Sequence, residues 1–311
     1  MEPQKPRITL YERRSFGNKL NASFDFIKEN WKPLFKFSTY LLLPLSLIQG
    51  LSLNGLIGGM TNLGALENSD AIAGLGSLGV TFLLHYSLYI LLFIIGNIGL
   101  SALVLALVKS YNEREDRLLN ITLKELKPLL LYNAKRVFLA GLAAFIVLSV
   151  VLFVVALFAA ISVYTMILTL PCFIACLVPL LLLTPIYVLE KISLGDAVFK
   201  AYRLGFPTWG GIFLIALVMG IIANVLQGVF TAPWYIAFLV KYFFMMSDAA
   251  NVATVSPWYA FMLYVFAVIQ VFGTYLSMIF CPIGVVYQYG HASEVVDSVK
   301  VEEDIDNFEN L

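Results

Sequence analysis

The chain has few charged residues: Asp, Glu, Lys and Arg make up 13% of its 311 residues. Soluble domains carry about 25% charge, so this composition excludes a water-soluble fold of ordinary surface polarity. The formal net charge is zero. Because nucleic-acid binding depends on a strongly basic surface, we expect no nucleic-acid partner.

Residues that commonly build catalytic and metal sites are also scarce. The chain has two histidines and three cysteines, and Cys172, Cys176 and Cys281 all lie inside apolar runs. An odd number of cysteines in such runs gives no disulfide framework, and the usual histidine-based metal or triad motifs cannot be assembled. We therefore predict a protein that is not an enzyme and holds no cofactor.

Apolar residues are abundant at 60% of the chain, and they form runs long enough to cross about 30 Å of hydrocarbon. Val137 to Leu189 contains no charged residue and is too long for one span, so we expect a hairpin near Ala160 to Tyr164. No short apolar segment with a cleavage site precedes the first run, so we expect no signal peptide. The sequence predicts an all-α polytopic membrane protein. The expected spans are Leu34–Ile57, Val80–Val108, Val137–Ala159, Thr165–Val188, Gly211–Phe230 and Trp258–Tyr287.

Three segments resemble copies of one unit. Each begins with a hydroxyl residue suited to cap a helix, namely Ser15, Thr122 or Ser193, and continues as a basic amphipathic helix before entering a span. The unit predicts three interfacial helices, each followed by two spans, with repeats at about 15–109, 122–188 and 193–287. These form one membrane domain, 15–290, flanked by a polar, loosely ordered lead-in, 1–14, and an acidic disordered tail, 291–311.

The first amphipathic helix shows its pattern clearly. Phe16, Leu20, Phe24, Ile27 and Trp31 recur at spacings of three or four and form one apolar stripe. The opposite face carries lysines, which include Lys19, Lys28 and Lys32, so the helix is expected to lie in the headgroup plane. An aromatic-rich connection, 232–256, is a candidate for a further interfacial helix.

Lysine and arginine counts predict the orientation. From the N-terminal segment through the successive connections to the tail, the counts are eight, none, seven, none, three, one and one. Both termini and all three amphipathic helices are therefore expected on the cytoplasmic side of the inner membrane. The candidate interfacial anchors are the residues Trp31, Trp209, Lys28, Lys32, Lys36, Lys135, Arg136 and Arg203. They could bind anionic lipid at about 1 kcal/mol per charge, or serve only to set the topology.

Neutral polar residues at membrane depth are the other candidates. Asn97, Asn224, Gln227 and Gln270 could bond between helices or line a polar path. On the fifth span Ala216, Gly220, Asn224 and Gly228 recur every four residues. Such a stripe predicts a seam for close helix packing, with Asn224 bonding across it.

The repeat carries a family resemblance. Phe16-Gly17 through Asn30-Trp31-Lys32-Pro33-Leu34-Phe35-Lys36, and Ser193-Leu194-Gly195-Asp196-Ala197 through Trp209, resemble the membrane domain often fused to glycerophosphoryl diester phosphodiesterases. That domain also occurs alone in uncharacterised multi-pass proteins of Bacteroidetes-type bacteria. The resemblance covers nearly the whole membrane region and implies the fold. No segment matches the family's catalytic domain, so it implies no catalytic residue.

Two functions follow as hypotheses. The first is a non-enzymatic inner-membrane protein that engages membrane lipids or a partner protein at the inner leaflet through its amphipathic helices. The alternative is a transporter or channel for a neutral or lipid-like solute, with a polar path near Asn97, Asn224 and Gln270.

Overall fold

A computed structural model describes residues 6–64, 71–247 and 256–299. The protein is 87% helical, and the described residues contain no strand. A short 3-10 turn, Val163–Thr165, lies between the fourth and fifth helices. The described residues form the α-helices α1 (Phe16–Glu29), α2 (Trp31–Gly64), α3 (Ala71–Glu113), α4 (Leu123–Ile161), α5 (Met166–Leu180), α6 (Leu183–Glu190), α7 (Leu194–Gly205), α8 (Trp209–Ser247), α9 (Pro257–Met278) and α10 (Phe280–Val296).

Within the described residues, six helical segments are long and apolar enough to cross a membrane. This confirms the predicted number of spans and indicates a multi-pass membrane protein. The predicted hairpin is also confirmed, since α4 ends at Ile161 and α5 begins at Met166. The six segments are Trp31–Leu56, Gly79–Glu113, Leu123–Ile161, Met166–Glu190, Trp209–Phe243 and Pro257–Val296.

The three hydroxyl residues at the start of the predicted repeats all cap helices, as predicted. The Ser15 hydroxyl accepts the amide of Asn18 at the start of α1. Thr122 does the same for Glu125 at the start of α4, and Ser193 for Asp196 at the start of α7. Each bond satisfies an amide that the first helical turn leaves free.

The second predicted amphipathic helix is not a separate helix, and that prediction was wrong. Residues 123–161 form one continuous helix, α4, whereas α1 ends before α2 at Asn30, whose backbone and side-chain amides both donate to the Phe26 carbonyl. In α4 the Asn133 side chain donates to the carbonyl oxygen of Ala102 on α3 at 3.4 Å.

Two further boundaries differ from the prediction. The aromatic connection 232–256 is not a separate interfacial helix in its described part, because α8 continues to Ser247; 248–255 lie outside the described residues. The tail does not begin at 291, because α10 continues to Val296. The predicted loop with Glu67 and Asp70, and the tail from 300 onward, also lie outside the described residues.

Prolines set the two internal breaks of the long apolar segments. Pro185 has no amide hydrogen for the carbonyl of Leu181, four residues earlier, and α5 gives way to α6 at that point. Pro282 stands in the same relation to Met278, where α9 ends and α10 follows. A missing donor and the ring's steric demand end the helix in each case.

The described chain divides into two compact units. Unit 1 contains the residues up to Leu34, Ser101–Ile221 and those from Ile279 onward. In it, α1 packs on α10, and α4 packs on α5 and α6. Its apolar core includes Leu183, Ile186 and Leu204, all at most 1% exposed.

Unit 2 contains Phe35–Leu100 and Ile222–Met278. Its helices approach one another at glycines, where a larger residue would overlap its neighbour. A Cβ at Gly55 would overlap the ring of His85, and one at Gly273 would overlap Phe230. Close contact through small residues is the usual packing mode inside membranes, where apolar burial gives helices little reason to associate.

Candidate functional site

The segment before α1 is held in place and forms part of a charged face of unit 1. We call residues 7–14 the strap. They have no helical or strand structure, and Leu10 among them is 7% exposed. The Arg7 guanidinium donates to three backbone carbonyls at and after the end of α3, those of Asn112, Arg114 and Glu115. The described part of the predicted lead-in is therefore fixed to the fold, and its prediction as loosely ordered was wrong.

The strap also binds α10. The Arg14 amide donates to His291 Nδ1 at 3.0 Å, and the hydroxyls of Tyr11 and Tyr289 are 3.1 Å apart. Between these contacts the strap passes directly over Gly290, where a Cβ would overlap the Leu10 carbonyl oxygen. Glycine is therefore the residue that permits this backbone approach.

A first ionic cluster ties α1 to the end of α3. Arg117 Nη1 lies 2.5 Å from Glu29 Oε1, and the Tyr111 hydroxyl donates to the same carboxylate at 3.1 Å. Tyr111 is fully buried and in turn accepts the amide of Ile8 in the strap at 3.3 Å. The cluster thus joins three chain segments through one carboxylate.

A second ionic cluster ties α6, α7 and the end of α10. Lys200 Nζ lies 2.8 Å from Glu190 and 3.2 Å from Asp297, which also pairs with Arg203 at 2.9 Å. The Tyr289 hydroxyl donates to Glu190 at 2.7 Å. Burial lowers the pKa of Lys200, but the hydrogen bonds and charges of Glu190 and Asp297 outweigh this, so the net shift is upward. Lys200 therefore stays charged at neutral pH.

An open cleft of about 540 Å³ lies between the strap and α1. The walls mix both signs of charge, since they include Arg7, Arg14 and Lys28 as well as Glu12, Asp25 and Glu29. Arg14 is already paired with Glu12 at 2.5 Å, and Glu29 with Arg117. Three positive and three negative side chains line the cleft, so their formal charges balance.

The two faces of α1 differ from the sequence pattern. The sequence pattern predicts Lys19 on the polar, outward face, yet this residue is only 4% exposed. It shares the buried face of α1 with Ser23 and Phe26. Trp31, the last residue of the predicted apolar stripe, is 57% exposed. Four members of that stripe are half-buried, namely Phe16, Leu20, Phe24 and Ile27. The assignment of Lys19 was therefore wrong: packing on α10 selects the adjacent face, and the stripe is left partly outward.

The predicted interfacial anchors fall into two groups. Five are exposed, namely Trp31, Lys28, Lys32, Lys36 and Lys135. The other three are engaged within unit 1. Arg203 pairs with Asp297, and Arg136 lies 3.9 Å from the Tyr187 ring centroid and donates to the carbonyl of Ile192. These contacts stabilise the fold of unit 1, and the Arg203 side chain keeps 60% of its surface exposed.

Trp209 is the third engaged anchor. Pro179 lacks the amide that would bond the Ala175 carbonyl in a regular helix. The Trp209 indole Nε1 donates to that carbonyl oxygen at 3.1 Å. The tryptophan thus replaces the hydrogen bond that the proline removes, which gives it a structural role that its position in the repeat did not indicate.

The predicted polar residues at membrane depth differ in their burial and in the contacts described for them. Asn97 donates to the carbonyl of Phe93 on its own helix at 2.8 Å. Gln270 Oε1 is buried and has no hydrogen-bond partner among the described residues. Asn224 is exposed and Gln227 half-buried. No described hydrogen bond joins Asn97, Gln227 and Gln270 to one another.

The sequence reasoning missed a buried polar node in unit 2. The Tyr275 hydroxyl donates to Gln49 Oε1 at 2.8 Å and lies 3.2 Å from the Leu92 carbonyl. Gln49 Nε2 donates to the carbonyl of Tyr89 at 3.3 Å. Gln49 is fully buried. The sequence does carry a signal for this node, since Gln49 is an amide side chain within an apolar run, as are the four predicted polar residues.

The stripe Ala216, Gly220, Asn224 and Gly228 lies on α8. A Cβ added at Gly220 or Gly228 would meet no described atom of another element within 4 Å. The packing seam therefore gains no support at these two glycines and stays a prediction.

No protein-family model, curated protein or solved structure matches this chain. The resemblance to the phosphodiesterase-associated membrane domain thus stays a prediction. Among the described residues no three His, Cys, Asp or Glu side chains are grouped as a metal site.

Proposed function

We propose that the protein is a non-enzymatic, multi-pass protein of the cytoplasmic (inner) membrane that binds anionic lipid headgroups at the inner leaflet. Its termini and amphipathic segments would lie on the cytoplasmic side, where the lysine and arginine counts place them. The observation that carries the proposal is a basic-aromatic patch formed by Lys28, Trp31 and Lys32.

The patch has the composition of a headgroup-binding surface. Trp31 is 57% exposed, and Lys28 and Lys32 are exposed beside it. Lys32 Nζ lies 6.0 Å from the Trp31 ring centroid. Tryptophan favours the headgroup level, and each lysine there adds about 1 kcal/mol of attraction to an anionic leaflet. An exposed tryptophan flanked by two lysines supports lipid contact over a purely structural role.

The test is lipid analysis of the purified protein. We expect anionic phospholipid to be enriched over its share of the bulk membrane. Lys28→Gln and Lys32→Gln should each lower the affinity for anionic lipid roughly fivefold, and the enrichment should fall accordingly. Lys241→Gln, on the predicted opposite side, is the matched control and should change nothing. Bulk lipid in bulk proportions on the wild-type protein would contradict the proposal.

The orientation has a separate test. A reporter that is active only in the cytoplasm, fused near Glu67, should be silent, because the first connection carries no lysine or arginine. Activity at that position would overturn the proposed sidedness without affecting the six spans.

A further inference from the structure

Lys19 is a buried cation without a carboxylate partner among the described residues. It is 4% exposed, and the polar contact of its Nζ is Gln288 Oε1 on α10 at 2.7 Å. Burial lowers the pKa of Lys19. A buried charge normally pairs with an opposite charge, so this amino group retains unused donor capacity.

Gln288 adds a second unused donor. The side chain is fully buried, and its Oε1 is taken by Lys19. The Nε2 atom of the same amide is buried and has no hydrogen-bond acceptor among the described residues. An orphaned buried donor is costly and rare in folded proteins, so it calls for a specific explanation.

Both nitrogens lie against the first turn of α8. A Cβ added at Gly211 would be 3.0 Å from Lys19 Nζ and 3.0 Å from Gln288 Nε2. The amides of Gly210 and Gly211 have no carbonyl acceptor among the described residues, as expected in a first helical turn. A Cβ at Gly210 would meet nothing within 4 Å, so the turn is open on that side.

We propose that Lys19, Gln288 and the first turn of α8 bind the phosphate group of an anionic ligand. Lys19 Nζ, Gln288 Nε2 and the amides of Gly210 and Gly211 are all hydrogen-bond donors, and Lys19 is a cation. The start of the 39-residue helix α8 adds its partial positive charge. A phosphate offers several acceptor oxygens, and helix N-terminal amides bind it well. If the phosphate belongs to a lipid headgroup, this site rests on the proposed function and refines it. If the ligand is free phosphate, the site does not depend on the proposed function.

The test measures thermal unfolding of the delipidated protein in detergent. Inorganic phosphate, compared with chloride at equal ionic strength, should raise the unfolding midpoint by about 2 °C at tenfold excess over Kd. Lys19→Met should abolish the rise. Lys124→Met, which replaces an exposed lysine at the start of α4 outside the basic-aromatic patch, is the matched control and should keep it. An equal rise in the wild type and Lys19→Met overturns the site.

A second pair of variants covers the case in which Lys19→Met fails to fold. Gly211→Ala places a methyl group against both nitrogens and should weaken the phosphate response by at least tenfold. Gly195→Ala is the control, because its Cβ, also in a first helical turn, meets nothing within 4 Å. Identical responses in these two variants overturn the site.

Two lipid arms identify the source of the phosphate. Phosphatidylglycerol in mixed micelles is compared with diacylglycerol of the same acyl chains. A Lys19-dependent rise with phosphatidylglycerol alone supports a headgroup site, and one with inorganic phosphate supports a soluble ligand. No rise with either overturns the inference. If Lys28→Gln and Lys32→Gln keep the wild-type lipid profile, the proposed function fails, while a Lys19-dependent phosphate response still supports this site.

Discussion

The polar contacts inside unit 1 differ in kind from those inside unit 2. Every ion pair of the described residues lies in unit 1, and the central ones involve Glu29, Glu190 and Asp297. Unit 2 uses neutral contacts, such as the hydroxyl of Tyr275 on Gln49 and the indole of Trp234 on Asn54. Charged groups are costly in hydrocarbon, whereas amide and hydroxyl bonds are tolerated there. Unit 1 therefore combines charged contacts with its apolar core, whereas the described polar contacts of unit 2 are neutral.

The largest expected effect comes from breaking the strap of unit 1. Gly290→Ala would drive a Cβ into the Leu10 carbonyl oxygen. A backbone atom cannot move aside as easily as the end of a flexible side chain. We expect a loss of about 3 kcal/mol in the free energy of unfolding and rapid tryptic cleavage after Arg13 and Arg14. Gly141→Ala, where a Cβ meets nothing within 4 Å, should leave both unchanged. Equal cleavage of the two variants would show that the strap contact is dispensable.

The second-largest expected loss of stability comes from breaking the second ionic cluster. Asp297→Asn leaves Arg203 and Lys200 with a neutral partner, and we expect a loss of about 2 kcal/mol at low salt. Because the Arg203 side chain is 60% exposed, high salt should reduce that loss. Glu113→Gln is the control: its side chain is 64% exposed and lies 3.6 Å from Lys109, so its loss should be under about 0.5 kcal/mol. Similar losses would contradict the importance of this cluster.

These effects also mark what the sequence could and could not predict. The number of spans, the α4–α5 hairpin and the three hydroxyl caps followed from local rules, because span length and capping depend on neighbouring residues. The strap did not follow. Arg7 and Arg14 look like solvated charges in the sequence, and their partners on α3 and α10 are about a hundred or more positions away.

The sequence also misassigned the faces of α1. Its most regular apolar stripe predicted the packed face, but Lys19 and Ser23 lie on the buried face. Periodicity identifies which residues share a face and gives no information on which neighbour covers it. The candidate phosphate site was missed for the same reason, since Lys19 and Gln288 are 269 positions apart.

A substitution at the buried polar node of unit 2 should lower the free energy of unfolding by an amount that does not depend on salt. Tyr275→Phe removes the hydroxyl that bonds Gln49 and leaves a buried amide oxygen without that donor. We expect a loss of about 1–1.5 kcal/mol, equal at low and high salt in thermal unfolding. Tyr264→Phe is the control, because its hydroxyl bonds the Leu47 carbonyl at a more exposed position. A salt-dependent loss for Tyr275→Phe would weaken the distinction between the units.

The smallest expected effect tests a neutral contact inside unit 1. Trp209→Phe removes the donor to the Ala175 carbonyl and should destabilise the protein by about 1 kcal/mol. In Pro179→Ala the residue at 179 regains an amide that can bond the same carbonyl. Trp209→Phe should therefore have a smaller effect in that background.

The comparison is a double-mutant cycle, which isolates the coupling between the two positions. Pro179 also touches Gly205, where a Cβ would lie 2.5 Å from the proline Cβ, so Pro179→Ala alone changes packing; the cycle subtracts this effect. We expect a coupling of about 0.5–1 kcal/mol. Additive losses would mean that the indole does not replace the missing amide. The neutral contacts of unit 1 would then contribute little beside its ion pairs, and the contrast with unit 2 would become sharper.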